Sequence, residues 1–348
     1  MPELHARIFS LDNPQDCLSW DSYAKKKDTS LGYFTISWLQ IIHRAFKHRV
    51  FPLAVEQEGK VRGILPLVLV SSKLFGRFLV SVPFVNYGGV LADDSVVTQA
   101  LLRHAETLRD DFRAGSLEFR HCKPMFPNLH SVAAKDSMLL DLPEEPGALW
   151  KSFKDKVRNQ VRKAIKSGLT VDEGSKELLD DFYSVFCVNM RDLGTPVYSR
   201  NFFSTVLDVL PESTRIFCVR RQARCIAAGI TYNYGDTMQM PWASSLVAER
   251  SFCPNHILYW EAIREASEKG FRVFDFGRST PQSGPWLFKR QWGARPLHLH
   301  WEYSLADGQT MPELNVANPK FNLARAAWKL LPLPVANVLG PQIVRYIP

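Results

Sequence analysis

Long hydrophobic runs are missing from this 348-residue chain. The longest apolar stretches, such as Gly63 to Val70, fall well short of the roughly 20 residues that a membrane-spanning helix needs. No segment is therefore expected to cross a bilayer. The first sixteen residues, Met1 to Asp16, have no charged head followed by an apolar run, and they read as lacking a signal peptide. Metal and disulfide signatures are absent as well. The six cysteines, Cys17, Cys122, Cys187, Cys218, Cys225 and Cys253, never stand at CxxC spacing. That argues against a zinc site or a disulfide framework and fits a reducing cytosol. No Walker loop, GxSxG elbow or HExxH helix occurs, so three large hydrolase classes lose their sequence support.

Acidic residues are in deficit: 35 Asp and Glu stand against 43 Lys and Arg, a formal net charge of +8. Such an excess favours an anionic partner, whether a phosphate, RNA or an acidic lipid surface, without choosing among them. Apolar material is plentiful at 46% of residues. It suffices for a large core, and the length suffices for two domains.

The most informative pattern is an internal repeat. Leu53–Gly59 and Val61–Val68 read as two strands joined by a polar turn, and Arg215–Val219 with Cys225–Ile230 repeats that hairpin. Each hairpin continues into strand-like sequence, Phe78–Pro83 or Thr237–Ala243. Each then continues into a helix with apolar residues at helical spacing, about Ser95–Phe112 or Ile257–Lys269. A short strand closes each half, Ser116–Arg120 and Arg272–Arg278, and both carry an acid, then Phe, then a nearby Arg. Turn signals at Leu142–Gly147 mark the join between the halves. From Pro319 onward the chain is Pro-interrupted and basic-apolar. It reads first as a helix and tail packed on the body, with docking on a membrane surface as the lesser reading.

Three segments could carry chemistry. Asp155–Lys166 reads as a helix with Phe153, Val157, Val161, Ala164 and Ile165 on one side. Arg158, Arg162 and Lys166 lie on the other, flanked by Lys156 and Lys163. No acid is expected to pair with that basic face, which is either solvated or holds phosphate. In the second segment, Asp275–Gly293, a strand ends near Gly277 and a polar loop follows. A short helix then aligns Leu287, Phe288, Gln291 and Trp292, with Lys289 beside that stripe. A cation there could stabilise the oxyanion formed when an amine attacks an ester or thioester, or it could be a snorkelling surface lysine. Asp275 could orient or deprotonate the amine or serve as a structural partner, and Arg278 could hold phosphate or stabilise the turn. In the third segment, Asn255 and His256 open the long second helix, where free backbone N–H groups suit an anion or a carbonyl oxygen. His298 and His300 share a strand face without an evident third metal ligand.

Together these segments resemble the FemAB family, and more narrowly the FemAB-like proteins associated with exosortase and PEP-CTERM systems. The resemblance is carried by Leu74–Gly89, by Lys156–Lys163 with its Arg158 and Arg162, by Asp275–Thr280, and by Phe288-Lys-Arg-Gln-Trp-Gly293. It implies an α+β (mixed α/β) fold of two tandem GNAT-like (acyl-CoA N-acyltransferase-type) domains. The expected bounds are 1–145 and 146–310, with a C-terminal helix and tail over 311–348. It implies a cytoplasmic acyltransferase or aminoacyltransferase that acylates an amine in cell-envelope, peptidoglycan or exopolysaccharide synthesis. The Phe-Lys pair at the family's active centre matches Phe288 and Lys289. On this reading Lys289 and Asp275 are catalytic. Phe288, Arg278, Lys156, Arg158, Arg162, Tyr87, Asn255 and His256 bind substrate, with Tyr87 beside the paired glycines Gly88 and Gly89. The co-substrate would be aminoacyl-tRNA or acyl-CoA, with no bound metal or cofactor, and the acceptor a small or lipid-linked amine; tRNA and peripheral membrane contact are candidate partners. Two departures leave the donor open: no long charged helical arm is inserted, and Arg250–His256 stands where acetyl-CoA enzymes carry a glycine-rich loop. An acyl-CoA-dependent enzyme acting on an amino sugar and a non-catalytic binding protein of the same fold are the alternatives.

Overall fold

A computed structural model describes residues 3–27, 32–72, 76–311 and 319–347. Met1 and Pro2, and Leu74 and Phe75 of the segment that carries part of the family resemblance, lie outside the described residues. The chain divides into two compact units. One comprises the described residues up to 135 together with those from 298 to 311, and the other 136–297 with 319–347.

In the first unit, strand β1 (His5–Ile8) precedes helices α1 (Pro14–Lys27) and α2 (Ile36–Phe46). Strands β2 (Arg49–Gln57), β3 (Lys60–Ser72) and β4 (Gly76–Ser81) then form a meander; the short β5 (Leu91–Ala92), helix α3 (Ser95–Asp111) and strand β6 (Ser116–His121) follow. The turn between β2 and β3 places Glu58 and Gly59 at positive φ, the twist that lets a two-residue loop join antiparallel strands. Helix α3 starts where the Asp94 carboxylate accepts the Val97 N–H at 2.9 Å. Its Val97, Leu101 and Ala105 turn inward onto Leu53, Val55, Leu65, Leu67 and Phe119. Burying each large aliphatic side chain is worth about 1.5–3 kcal/mol, so this face contributes several kcal/mol to the unit.

In the second unit, 136–141 of strand β7 (His130–Asp141) are followed by α4 (Pro146–Ser152), α5 (Asp155–Lys166) and β8 (Leu169–Gly174). Helices α6 (Leu179–Leu193) and α7 (Arg200–Val209) lead into the meander β9 (Thr214–Arg221), β10 (Arg224–Tyr234) and β11 (Thr237–Ser245). Helix α8 (Pro254–Glu268), strand β12 (Val273–Ser279) and helix α9 (Gly284–Gln291) complete the core. Strand β13 (Arg295–Leu305) gives 298–305 to the first unit, and α10 (Pro319–Lys329) and α11 (Leu333–Val344) end the second.

The repeat expected from the sequence is present in the pairing itself. In the first unit β1, β2, β3 and β4 pair antiparallel in that order, β4 pairs β6 in parallel, and β6 pairs 300–305 of β13 antiparallel. In the second, β8, β9, β10 and β11 pair antiparallel, β11 pairs β12 in parallel, and β12 pairs 136–141 of β7 antiparallel. Each parallel pairing covers the same short stretch: Phe78–Val80 beside Ser116–Glu118, and Thr237–Gln239 beside Val273–Asp275. Glu118 and Asp275 therefore occupy one and the same position of the repeat.

Tyr87, Gly88 and Gly89 lie in the first unit. The Tyr87 ring is buried with its edge toward Tyr33, 5.2 Å between centroids. Gly89 allows the close backbone approach that the sequence suggested, because a Cβ there would lie 2.0 Å from the His121 ring. That ring cannot yield: Nδ1 donates to Glu302 Oε2 at 2.6 Å, and Nε2 accepts the Val90 N–H at 2.9 Å. Gly89→Ala is accordingly expected to destabilise the protein by about 2 kcal/mol or more, read as a fall in the urea midpoint, whereas an unchanged midpoint would mean that the His121 ring is mobile.

Candidate functional site

The remaining sequence-predicted site residues all belong to the second unit, and the geometry that brings them together starts with two irregular strands. Pro241, which has no N–H to give to a ladder, sits in β11 where the register against β10 shifts between Ile230 and Tyr232. On β12 the register against β7 shifts between Asp275 and Arg278, and Gly277 adopts φ +74°. The parallel pairing stops at Gln239 and Asp275, although β11 runs on to Ser245 and β12 to Ser279. The two strands separate at that point.

Two buried charges hold the bulge on β12. The Asp275 carboxylate accepts the Gly277 N–H at 2.7 Å and the Ser137 hydroxyl at 2.7 Å. Lys289 Nζ donates to the carbonyls of Gly277 at 2.9 Å and Arg278 at 3.2 Å. The bulge interrupts the two-residue alternation of side chains along β12 at Gly277. Phe274 and Phe276 keep to the opposite face, against Tyr259 of α8.

Lys289 is 7% exposed, so the snorkelling alternative does not hold. Burial drops its ammonium to about 8 against the opposing pull of Asp275. Two of the three Nζ protons are used on carbonyls; the third has no partner among the described residues. The apolar stripe of α9 needs one correction: Leu287 is exposed, and the aromatic pair Phe288 and Trp292 packs against His256. Ser283 caps the helix, and Trp286 Nε1 donates to Asp136 Oδ2 at 2.8 Å, tying α9 to β7.

Phe288 carries the contact to α8. Its ring meets His256 edge-on at 5.1 Å and Tyr259 at 5.5 Å. Burial first, and the Lys156 charge second, hold the His256 imidazole down at about 4, so it is neutral at physiological pH. The start of α8 offers fewer donors than its sequence suggested. Pro254 has no N–H, the Cys253 N–H is bonded to Arg250 O, and the His256 N–H to Cys253 O, both at 3.0 Å. Asn255 lies half-buried between them.

Helix α5 packs beside α8, with Val157, Val161 and Ala164 buried and Cys253 Sγ donating to Gln160 Oε1 at 2.6 Å. Two expectations for it are corrected. Ile165 is exposed, displaced from the buried stripe by the helical phase. The basic face is not without an acid, since Arg158 pairs with Asp155 one turn earlier. Arg162 bonds Asn159 Oδ1 at 3.0 Å and lies over the Trp150 ring at 5.5 Å. Lys156 is exposed. The Lys156 charge thus reaches His256, whose ring meets Phe288, and the next residue of α9, Lys289, feels the Asp275 charge. Among the described residues, no three His, Cys, Asp or Glu side chains are grouped to hold a metal ion.

Sequence reasoning missed Gln239 and Ser137. Gln239 is fully buried, stands beside Asp275 in the parallel register, and neither end of its amide has a hydrogen-bond partner among the described residues. The signal available was a lone polar residue in the apolar run from Met238 to Trp242.

This arrangement of meander, splayed parallel pair and intervening helix is the GNAT type of mixed α/β fold. Residues 151–290 match the family model described as "Acetyltransferase (GNAT) domain". Among curated proteins the chain is similar to a UDP-N-acetylmuramoylpentapeptide-lysine N(6)-alanyltransferase of Weissella viridescens, 21% identical over 151 residues. The match covers 42% of this chain and 45% of the relative, so it spans under half of either length. Among solved structures the fold is similar to FemX, with a TM-score of 0.66, 14% identity, and 86% of this chain and 96% of that one covered. It is also similar to a tandem GNAT protein from the clavulanic acid biosynthesis pathway, at TM-score 0.59 and 11% identity over 88% of this chain and 100% of that one. The C-terminal domain of a putative lysylphosphatidylglycerol synthetase from Agrobacterium fabrum follows at TM-score 0.56 and 12% identity, with 84% and 92% covered.

The depressed Lys289 value has a thermodynamic consequence. The unfolded chain keeps this proton up to the ordinary 10.5 and the folded chain only to about 8. Between those values the unfolded state binds more protons, so raising the pH favours folding. Urea unfolding of the wild type and Lys289→Met is expected to show the wild type gaining up to about 3 kcal/mol on the variant between pH 8 and 10.5. A difference that does not change with pH would place the ammonium in water. Gln239→Leu, which removes an unsatisfied amide, is expected to leave the urea midpoint unchanged or raise it.

Proposed function

We propose that this chain is a FemAB-type N-acyltransferase that moves an aminoacyl group from an activated ester to an amine acceptor in cell-envelope or exopolysaccharide synthesis. The observation that carries this reading is Lys289: a buried ammonium with one uncommitted N–H, fixed on the carbonyls of Gly277 and Arg278 where β12 leaves β11. The acceptor nitrogen attacks the donor carbonyl, and the new C–N bond forms as the carbonyl oxygen takes up negative charge. The third Lys289 N–H stabilises that oxyanion. On collapse the ester C–O bond breaks, the leaving oxygen takes a proton, and the amine loses one. Asp275 holds the bulge and supplies the counter-charge to Lys289; it orients and does not deprotonate. Phe288 and His256 form the wall against which the acyl group lies.

An aminoacyl donor is favoured over acyl-CoA by the start of α8. The N–H groups of Cys253 and His256 are already bonded within the turn and Pro254 has none, so little backbone remains to cradle a pyrophosphate. Side chains of α5, chiefly Lys156, Arg158 and Arg162, would hold donor phosphates instead. Binding through side-chain cations is salt-sensitive. The similarity to the Weissella viridescens alanyltransferase supports a muropeptide amine as the first acceptor to try.

The test is transfer of label from alanyl-tRNA to UDP-linked muropeptide, with acetyl-CoA and longer acyl-CoAs as parallel donors. The expected result is transfer from the aminoacyl ester, reduced roughly 10²- to 10³-fold in Lys289→Met and lost more steeply with salt in the wild type than in Arg162→Ala. Transfer from CoA thioesters alone would overturn the choice of donor. Donor binding without transfer to any amine would sink the catalytic reading.

A further inference from the structure

The last two helices of the second unit carry an apolar surface that the transfer reaction does not use. Their inner sides are anchored. Arg191 Nη1 donates to Leu331 O at 3.4 Å, Gly194 at the end of α6 lies against the backbone of Arg325, and Gly340 lies against Val197. Ala336, Gly340 and Val344 of α11 are buried in that contact. The outer sides are bare: Leu330 is 85% exposed, Leu323 75% and Val338 69%, with Val335 and Leu339 beside Val338 on the same face of α11. Helix α11 has no charged residue at all. Apart from Asn337 and Gln342 helix α11 is apolar, and such a helix is normally covered on more than one side; solitary exposed leucines need no explanation, whereas Val335, Val338 and Leu339 share one helix face.

We propose that the α10–α11 hairpin docks this chain onto an anionic lipid surface. Charge decides the occupant. From Pro319 to the last residue the sequence contains Lys320, Arg325, Lys329 and Arg345 and not one Asp or Glu, although acids are common elsewhere in the chain. The Arg325 and Lys329 side chains are exposed on the same hairpin, Lys329 next to Leu330 in the chain. Trp328 and Tyr346 are half-buried in the same segment, and both are residue types that settle at the membrane–water boundary. Leucines flanked by cations and interfacial aromatics, on helices too short to span, describe an element that lies in the headgroup layer. No helix among the described residues is long and apolar enough to cross a membrane. A second copy of the chain fits this surface worse, because two such faces would meet cation to cation with no acid on either.

The full chain is to be sedimented with vesicles of phosphatidylcholine alone and of phosphatidylcholine mixed with phosphatidylglycerol. It is expected to bind the anionic vesicles, to bind less as salt rises, and to bind the neutral ones weakly. Leu330→Glu with Val338→Glu should cut binding at least about tenfold, and Arg325→Glu with Lys329→Glu should do so for the anionic vesicles. All four positions are exposed, so circular dichroism and the thermal midpoint should stay at the wild-type values. Failure to bind either vesicle, binding that ignores these substitutions, or a dimer in light scattering that Leu330→Glu with Val338→Glu dissolves would each overturn the proposal. The assay needs no donor or acceptor, so its outcome is independent of the transferase reading.

Discussion

A strand that leaves its parallel neighbour must find new partners for every backbone group it strands, and in the second unit that demand falls on two buried charges. Asp275 takes the Gly277 N–H and Lys289 takes the Gly277 and Arg278 carbonyls. Removing either would leave a buried polar group unpaired, at a cost of about 1–3 kcal/mol for each. The same two side chains therefore keep β12 bent and keep α9 seated on it. Whatever binds where β11 and β12 part company meets a surface whose shape these contacts set. Burial makes the Lys289 ammonium costly to keep charged, and in the proposed reaction its remaining N–H would act on an oxyanion in a dry site, where such a donor counts for most.

Comparison of the repeats shows how one position can be used in two ways. Glu118 occupies in the first unit the place that Asp275 occupies in the second. Glu118 is paired with Arg120 at 2.7 Å, and that guanidinium also donates to Val85 O and lies over the Trp301 ring at 4.5 Å. The acid and its cation come from one strand, two residues apart, so the pair closes on itself. Asp275 has its cation on a separate helix, α9, whose ammonium bonds the backbone and not the carboxylate. The first arrangement is a direct ion pair, although Arg120 Nη2 is buried without a hydrogen-bond partner among the described residues. The second sets its cation on the carbonyls of a strand bulge, and on that difference the proposed reading rests its choice of the second unit.

The strands were legible because they are paired hairpins with polar turns, and the repeat was legible because both halves keep one order of periodicities. The acid-Phe-Arg echo in β6 and β12 marked a true equivalence of position. What the sequence could not supply was the phase of short helices and the partners of single charges. In α9 the expected stripe included Leu287, but in an eight-residue helix a small change in entry angle exposes one end, and Leu287 is outside while Lys289 is inside. In α5 the Arg158–Asp155 pair was overlooked because the acid stands at the first residue of the helix. Strands β7 and β8 went unread, and with β7 went Ser137, since a residue that comes to lie beside Asp275 from 138 positions away leaves no local signal.

The start of α8 shows how local hydrogen bonding limits what a helix N-terminus can hold. A helix N-terminus attracts anions only through N–H groups that nothing else has taken. Cys253 in the left-handed region at φ 61° tightens the turn so that its own N–H and that of His256 bond inward, and Pro254 removes a third. Neutral His256 cannot replace them with charge. Positive charge is supplied instead from α5, on side chains that lie further out and are partly engaged already with Asp155, Asn159 and Trp150. Such a surface grips a long, flexible polyanion at several points better than it grips one compact pyrophosphate, because each contact is weak and many are needed. The same loop that weakens the case for a coenzyme thus strengthens the case for a larger phosphate-bearing donor.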